Sequence, residues 1–163
     1  MLKDDAQLAI IGEYVVLCAL LDFHGIKNAF DVRHDKRFQE WDVDFLILDR
    51  NLQVTWLEVK TDMAAYRTGN FFYETESHGK TGCLERTKAD CVAFYVPQSG
   101  NIYLCNTEAL RRCVRTHSYR LIDAGDESKG YLIPIGDLER YGVVSRMIQT
   151  TPLPIERKKD DRA

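Results

Sequence analysis

Four side chains within residues 41 to 62, WDVDFLILDRNLQVTWLEVKTD, have types and spacing that could do chemistry together: Asp42, Asp44, Glu58 and Lys60. Glu58 and Lys60 are two apart, so on a strand they emerge on one face while Val59 points away. By the same parity Asp42 and Asp44 share a face of the preceding strand, and the short turn at 49 to 51 folds the two strands into an antiparallel hairpin. Three carboxylates and one amine can then converge among Phe45, Leu46, Ile47, Leu48, Leu57 and Val59. Uncompensated carboxylates in such surroundings cost on the order of a few kcal/mol each. One lysine neutralises one of them. A hard divalent cation, Mg2+ or Mn2+ in its place, accepts carboxylate oxygens and keeps waters, and a ligated water beside an amine is the equipment for hydrolysing a phosphodiester. The alternative on the same residues is a half-exposed strand edge closed by a Glu58–Lys60 or Asp44–Lys60 ion pair.

The elements that must position these groups follow from pattern. Residues 5 to 23 contain no proline, one glycine and apolar side chains on nearly every side of a helical wheel, which predicts a largely buried opening helix ending at His24 and Gly25. On that wheel Glu13 shares a sector with Ile10, Val16, Leu17 and Leu20, so it either joins the carboxylates, snorkels to solvent or meets a basic residue from elsewhere. IKNAFDV predicts a first strand, RHDKRFQE a connecting loop, and WDVDFLIL with LQVTWLEVK the hairpin. Beyond Asp62, FFYETES reads as a short strand, HGKTG as a loop, residues 81 to 89 as a short helix, and CVAFYV and IYLC as two strands around a turn. Asn106 or Thr107 caps a helix through TEALRRCVR, GYLIPI reads as an edge strand, DLERYG as a helical turn, and residues from 142 onward as a closing strand and tail. Glu74 and Glu76 share a strand face, where a solvent-facing hairpin competes with help to a second metal or to Lys80. His78, Cys83 and Cys91 match no standard zinc spacing.

Asp44, thirteen intervening residues, then Glu58-Val59-Lys60, after a helix bearing Glu13, resembles the signature of the PD-(D/E)XK nuclease superfamily. TGN and the acidic strand after it are also similar to small phage-encoded nucleases of that superfamily. The resemblance implies an α/β fold with a restriction-endonuclease-like αβββαβ core, a mixed central sheet flanked by helices. It implies metal ligation by Asp44, Glu58, the Val59 carbonyl and, as in the Holliday-junction-resolvase branch, Glu13, with Lys60 acting on the water or the phosphate. Val43 stands where that family places proline, which leaves Asp42 as an alternative to Asp44. The implied activity is Mg2+-dependent DNA cleavage, on branched DNA by a homodimer. A nuclease acting on linear DNA and a non-catalytic module that binds DNA or protein are the competing readings.

Length and composition agree with one domain over 1–150 and a charged tail over 151–163. The 163 residues are 45% hydrophobic and 29% charged, in the globular range, and the acidic start lacks the features of a secretory signal, so a cytoplasmic protein is expected, with no membrane partner. Five cysteines without a C-x-x-C pair indicate neither a disulfide framework nor a zinc knuckle. A net charge of −3 argues against indiscriminate coating of nucleic acid but permits local basic groups. Arg33, Lys36 and Arg37 before the hairpin, and Lys80, Arg86 and Lys88 after it, are the candidate phosphate contacts.

Overall fold

Residues 5 to 21, with good helix formers and no proline, form α1 (Asp5–Leu21). The computed structural model describes residues 5–23, 25–125 and 127–155; the predicted helix end at His24 and most of the predicted tail, 156–163, lie outside them. Leu8, Gly12, Val16 and Leu20, each four apart, are the buried stripe of α1. Ile10, Tyr14 and Leu21 are exposed. The helix is therefore an outer layer with one covered face, where composition suggested burial on all sides. None of the described helices is long and apolar enough to cross a membrane.

After α1 come β1 (Ile26–Asp31), α2 (Lys36–Glu40), β2 (Phe45–Asp49), β3 (Val54–Thr61), α3 (Ala65–Thr68), β4 (Asn70–Ser77), β5 (Lys80–Thr81) and α4 (Cys83–Arg86). The chain continues through β6 (Cys91–Val96), β7 (Asn101–Asn106), α5 (Thr107–Thr116), β8 (Arg120–Gly125), β9 (Ser128–Pro134), α6 (Ile135–Arg140) and β10 (Val144–Gln149). The large sheet has the order β1-β2-β3-β6-β7-β10. Only β3 and β6 run parallel in it, so the protein is α/β with a mixed central sheet flanked by helices. Phe45, Ile47, Leu57 and Val59 point to the α1 side and pack with Val16 and Leu20. Val92, Phe94 and Val96 point the other way, to a second core with Phe71, Tyr73, Leu84, Leu110 and Leu138. That second core is roofed by a four-stranded antiparallel sheet, β5-β4-β9-β8.

Several expectations change. The 33–40 loop contains α2, capped by Asp35, whose side chain accepts the Arg37 N–H. The 81–89 helix shrinks to the four residues of α4, because Thr87 and the residues after it are drawn away: Lys88 N–H goes to the Trp41 carbonyl and Asp90 N–H to that of Trp56. The crossover between parallel β3 and β6 carries β4, β5 and the two short helices α3 and α4. GYLIPI is no edge; β9 lies between β4 and the unanticipated β8. The HGKTG loop carries β5, and β10 closes the large sheet beside β7.

Candidate active site

The hairpin register sets the site. Phe45 pairs with Leu57, and the Asp44 N–H donates to the Leu57 carbonyl at 2.8 Å, so Asp44 stands just before β2, level with Glu58. Asp44 Oδ2 accepts the Val59 N–H at 2.8 Å. In a strand the N–H and C=O of one residue lie on the same edge, so the Val59 carbonyl faces the same side as Asp44. Glu58 is buried at 5% exposure, and its Oε1 meets Lys60 Nζ at 2.7 Å. The Lys60 side chain is one-third exposed, so this pair joins a buried carboxylate to a side chain that reaches the solvent boundary.

Charge is in surplus here. Burial, and to a smaller degree the Asp44 and Asp42 charges, push the Glu58 carboxyl up to about 8 against the pull of Lys60. Burial raises Asp44 too, and Glu13 adds to that, while the Val59 N–H and the Lys60 charge oppose it. Burial alone would lower Lys60, but the Glu58 carboxylate holds it above the usual amine range.

Glu13 reaches this cluster by charge and not by a shared strand face. Its carboxylate bonds to Arg33, which also bonds to Asp31 and lies over the rings of Tyr14 and Phe45. Asp42 does not share a strand face with Asp44: residues 41 to 44 precede β2, Asp42 has φ of 47°, and Arg86 clamps its two oxygens at 2.7 and 2.9 Å. Of the six basic candidates, Arg33, Arg37 and Arg86 are tied to Asp31 with Glu13, to Asp35 and to Asp42 respectively. Lys36, Lys80 and Lys88 are exposed and form no ion pair with a described carboxylate. Glu76 meets Lys129 at 3.5 Å, and His78 pairs with Glu127 away from Cys83 and Cys91.

The far wall brings Glu74 and Cys83 to Lys60, where the sequence pointed Glu74 to a second metal or Lys80 and Cys83 to a zinc site. A cleft of about 430 Å3 opens beside Lys60, lined by Thr61, Asp62, Phe72, Glu74 and Cys83. Asp44 and Glu58 do not line it, so it bears on the amine rather than on the two carboxylates. Glu74 Oε2 accepts the Cys83 N–H at 3.2 Å and Oε1 accepts the Ser128 hydroxyl at 3.1 Å. Burial would raise Glu74, but these donors, the Cys83 thiol and the Lys60 charge hold it below the carboxylate range. The Cys83 thiol also bonds to Lys60, and burial pushes that thiol up to about 11. No local pattern announces this wall, because Glu74 arrives on β4, whose partner β9 lies more than fifty residues on.

No family model and no curated protein matches the chain. Two solved structures are similar to it. A bacterial homing endonuclease aligns at TM-score 0.48 and 13% identity, covering 65% of this chain and 71% of its own. A nuclease from a fusselovirus aligns at 0.46 and 17%, covering 84% and 88%.

Among the described residues no group of three or more His, Cys, Asp and Glu is arranged to hold a metal ion. The donors at hand are the Asp44 and Glu58 carboxylates and the Val59 carbonyl, all hard oxygens. Mg2+ is commonly bound through one or two carboxylates, with waters and substrate phosphate completing its octahedron, so this set fits it without Glu13. The buried Glu58 carboxyl and the part-buried Asp44 carboxyl, both raised by desolvation, face a single amine here.

Proposed function

We propose that the chain is a Mg2+-dependent DNA endonuclease with a PD-(D/E)XK-type site. The observation that carries this reading is the hairpin itself: Asp44 bonded to the Val59 N–H, with Glu58 before that residue and Lys60 after it, in contact at 2.7 Å. Bound by Asp44, Glu58 and the Val59 carbonyl, the ion would supply a water of lowered pKa and positive charge against the phosphate. Glu58, fixed by burial, gives a ligand that needs no reordering before reaction. Lys60, anchored to Glu58 yet part-exposed, can reach a phosphate oxygen and stabilise the charge that grows on it. Selectivity for branched DNA and a homodimer that cuts both strands rest on the resemblance, through the helix glutamate Glu13.

The test is cleavage of four-way, forked and linear DNA with and without Mg2+. Cutting is expected only with the ion, and Lys60→Ala is expected to lose at least about a hundredfold in rate, as for a lost transition-state donor, while still binding DNA. Equal rates on all three DNAs would remove the branched-substrate claim. Cleavage that persists in a chelator would remove the metal.

A further inference from the structure

The two tryptophans of this chain are stacked on one another beside the candidate site. Trp41 and Trp56 have centroids 5.4 Å apart and planes 13° from parallel. Phe38 meets them edge-on at 5.6 and 5.5 Å, and the Lys88 ammonium lies over the Trp41 ring, 4.8 Å from its centroid. All three rings keep part of their surface in solvent, α2 contributes no buried residue, and Lys88 is exposed. This cluster belongs to neither of the two buried cores.

Its placement ties it to the chemistry. Trp56 shares the β3 face of Glu58 and Lys60, one two-residue step or about 6.8 Å from Glu58. Trp41 directly precedes Asp42, whose charge acts on Glu58. The main chain is fixed at both residues: the Trp56 backbone N–H donates to Asp90 Oδ2 at 2.9 Å, and the Trp41 carbonyl accepts the Lys88 backbone N–H at 2.9 Å. The stacked indoles therefore lie one strand step from the groups that would face a phosphate.

We propose that Trp56, backed by Trp41 and Phe38 and with Lys88 alongside, forms a stacking platform for an unpaired base next to the phosphate to be cleaved. The substrate class is then DNA with single-stranded or unpaired nucleotides, rather than continuous duplex; the proposal rests on the nuclease reading. In a duplex the faces of each base are covered by its neighbours, so only an unstacked base can offer its π-face to an indole. Lys88 adds a cation that favours the phosphate beside that base.

The experiment uses the wild-type chain, whose emission comes from these two indoles. With Ca2+ in place of Mg2+, it is titrated with labelled single-stranded, forked and blunt duplex DNA, reading label anisotropy and indole emission together. Single-stranded and forked DNA are expected to quench the indoles; blunt duplex is not. Trp56→Leu is expected to weaken binding of the unpaired DNAs about tenfold, the range of one base–aromatic stack, and Trp56→Tyr to restore most of it. DNA that binds without changing indole emission, or duplex that quenches as strongly as the fork, overturns the platform and leaves the nuclease reading standing. No binding to any DNA, together with no cleavage, overturns the nuclease reading and the platform with it.

Discussion

Asp44 concentrates the electrostatic tension of the site in one carboxyl. It is raised by burial and by Glu13, yet it accepts the Val59 N–H. Asn at this position keeps an acceptor for that N–H while removing the charge that repels Glu58. Asp44→Asn should therefore stabilise the metal-free protein at pH 8, by on the order of 1 kcal/mol or about 2–4 °C in Tm, while abolishing Mg2+-dependent cleavage. A thermal melt in chelator that shows a loss of stability would contradict the surplus-charge account. The pH dependence has a definite sign. Glu58 in the folded chain is raised by burial from 4.5 to about 8, so below its unfolded value its contribution is fully present, and it is lost as pH climbs through that window. Metal-free protein should accordingly lose stability from about pH 5 to about pH 8 at this group. Mg2+, which needs the ionised carboxylate, should bind more tightly over the same range and release protons as it does. Isothermal titration in two buffers of different ionisation enthalpy measures that release directly.

Among elements, the contact of α1 with β3 sets the pose of the hairpin. A Cβ on Gly12 would lie 1.9 Å from Thr61 Oγ1 and 3.1 Å from the Tyr95 ring, and Thr61 follows Lys60 directly. Gly12→Ala forces helix and strand apart, so it should cost about 1–3 kcal/mol as an overpacked contact and lower cleavage by shifting Lys60. An unchanged Tm would show that Thr61 rotates freely and that the helix does not set the strand. What was readable in the sequence divides along the same lines. The β2–β3 hairpin, its Glu58–Lys60 pair and α5 with its Asn106 cap are local: alternation, a short turn and a capping residue specify them within a dozen positions. The second sheet was not readable, since β4 pairs with β9 and only that distant pairing makes FFYETES and GYLIPI neighbours. The face of Asp42 was misjudged because a left-handed residue breaks strand parity, and nothing in WDVD marks where β2 begins.

Over the whole molecule, Lys60 is where two sheets meet. Glu58 holds the amine from within the large sheet, while Glu74 and Cys83 face it from the side of the small one. A lysine fixed from one side only would retain the rotamer freedom of its four-carbon stem; bracketed between two sheets, it is aimed. Glu74 is therefore expected to act as a positioning residue for Lys60 and not as a metal ligand. Glu74→Gln removes the charge that the Cys83 N–H and Ser128 hydroxyl now bind, and should cost about 1 kcal/mol, below the usual range for charged hydrogen bonds because the group is partly open to solvent. The maximal cleavage rate should fall while the Mg2+ concentration for half-maximal rate stays the same. Glu76→Gln is the control: Glu76 sits on the same strand, but its side chain is 44% exposed and its partner Lys129 is 3.5 Å away, so both rate and Tm should stay near wild type. A shift in Mg2+ dependence with Glu74→Gln would instead make Glu74 part of the ion's own shell, and the two sheets would then share the metal rather than the amine.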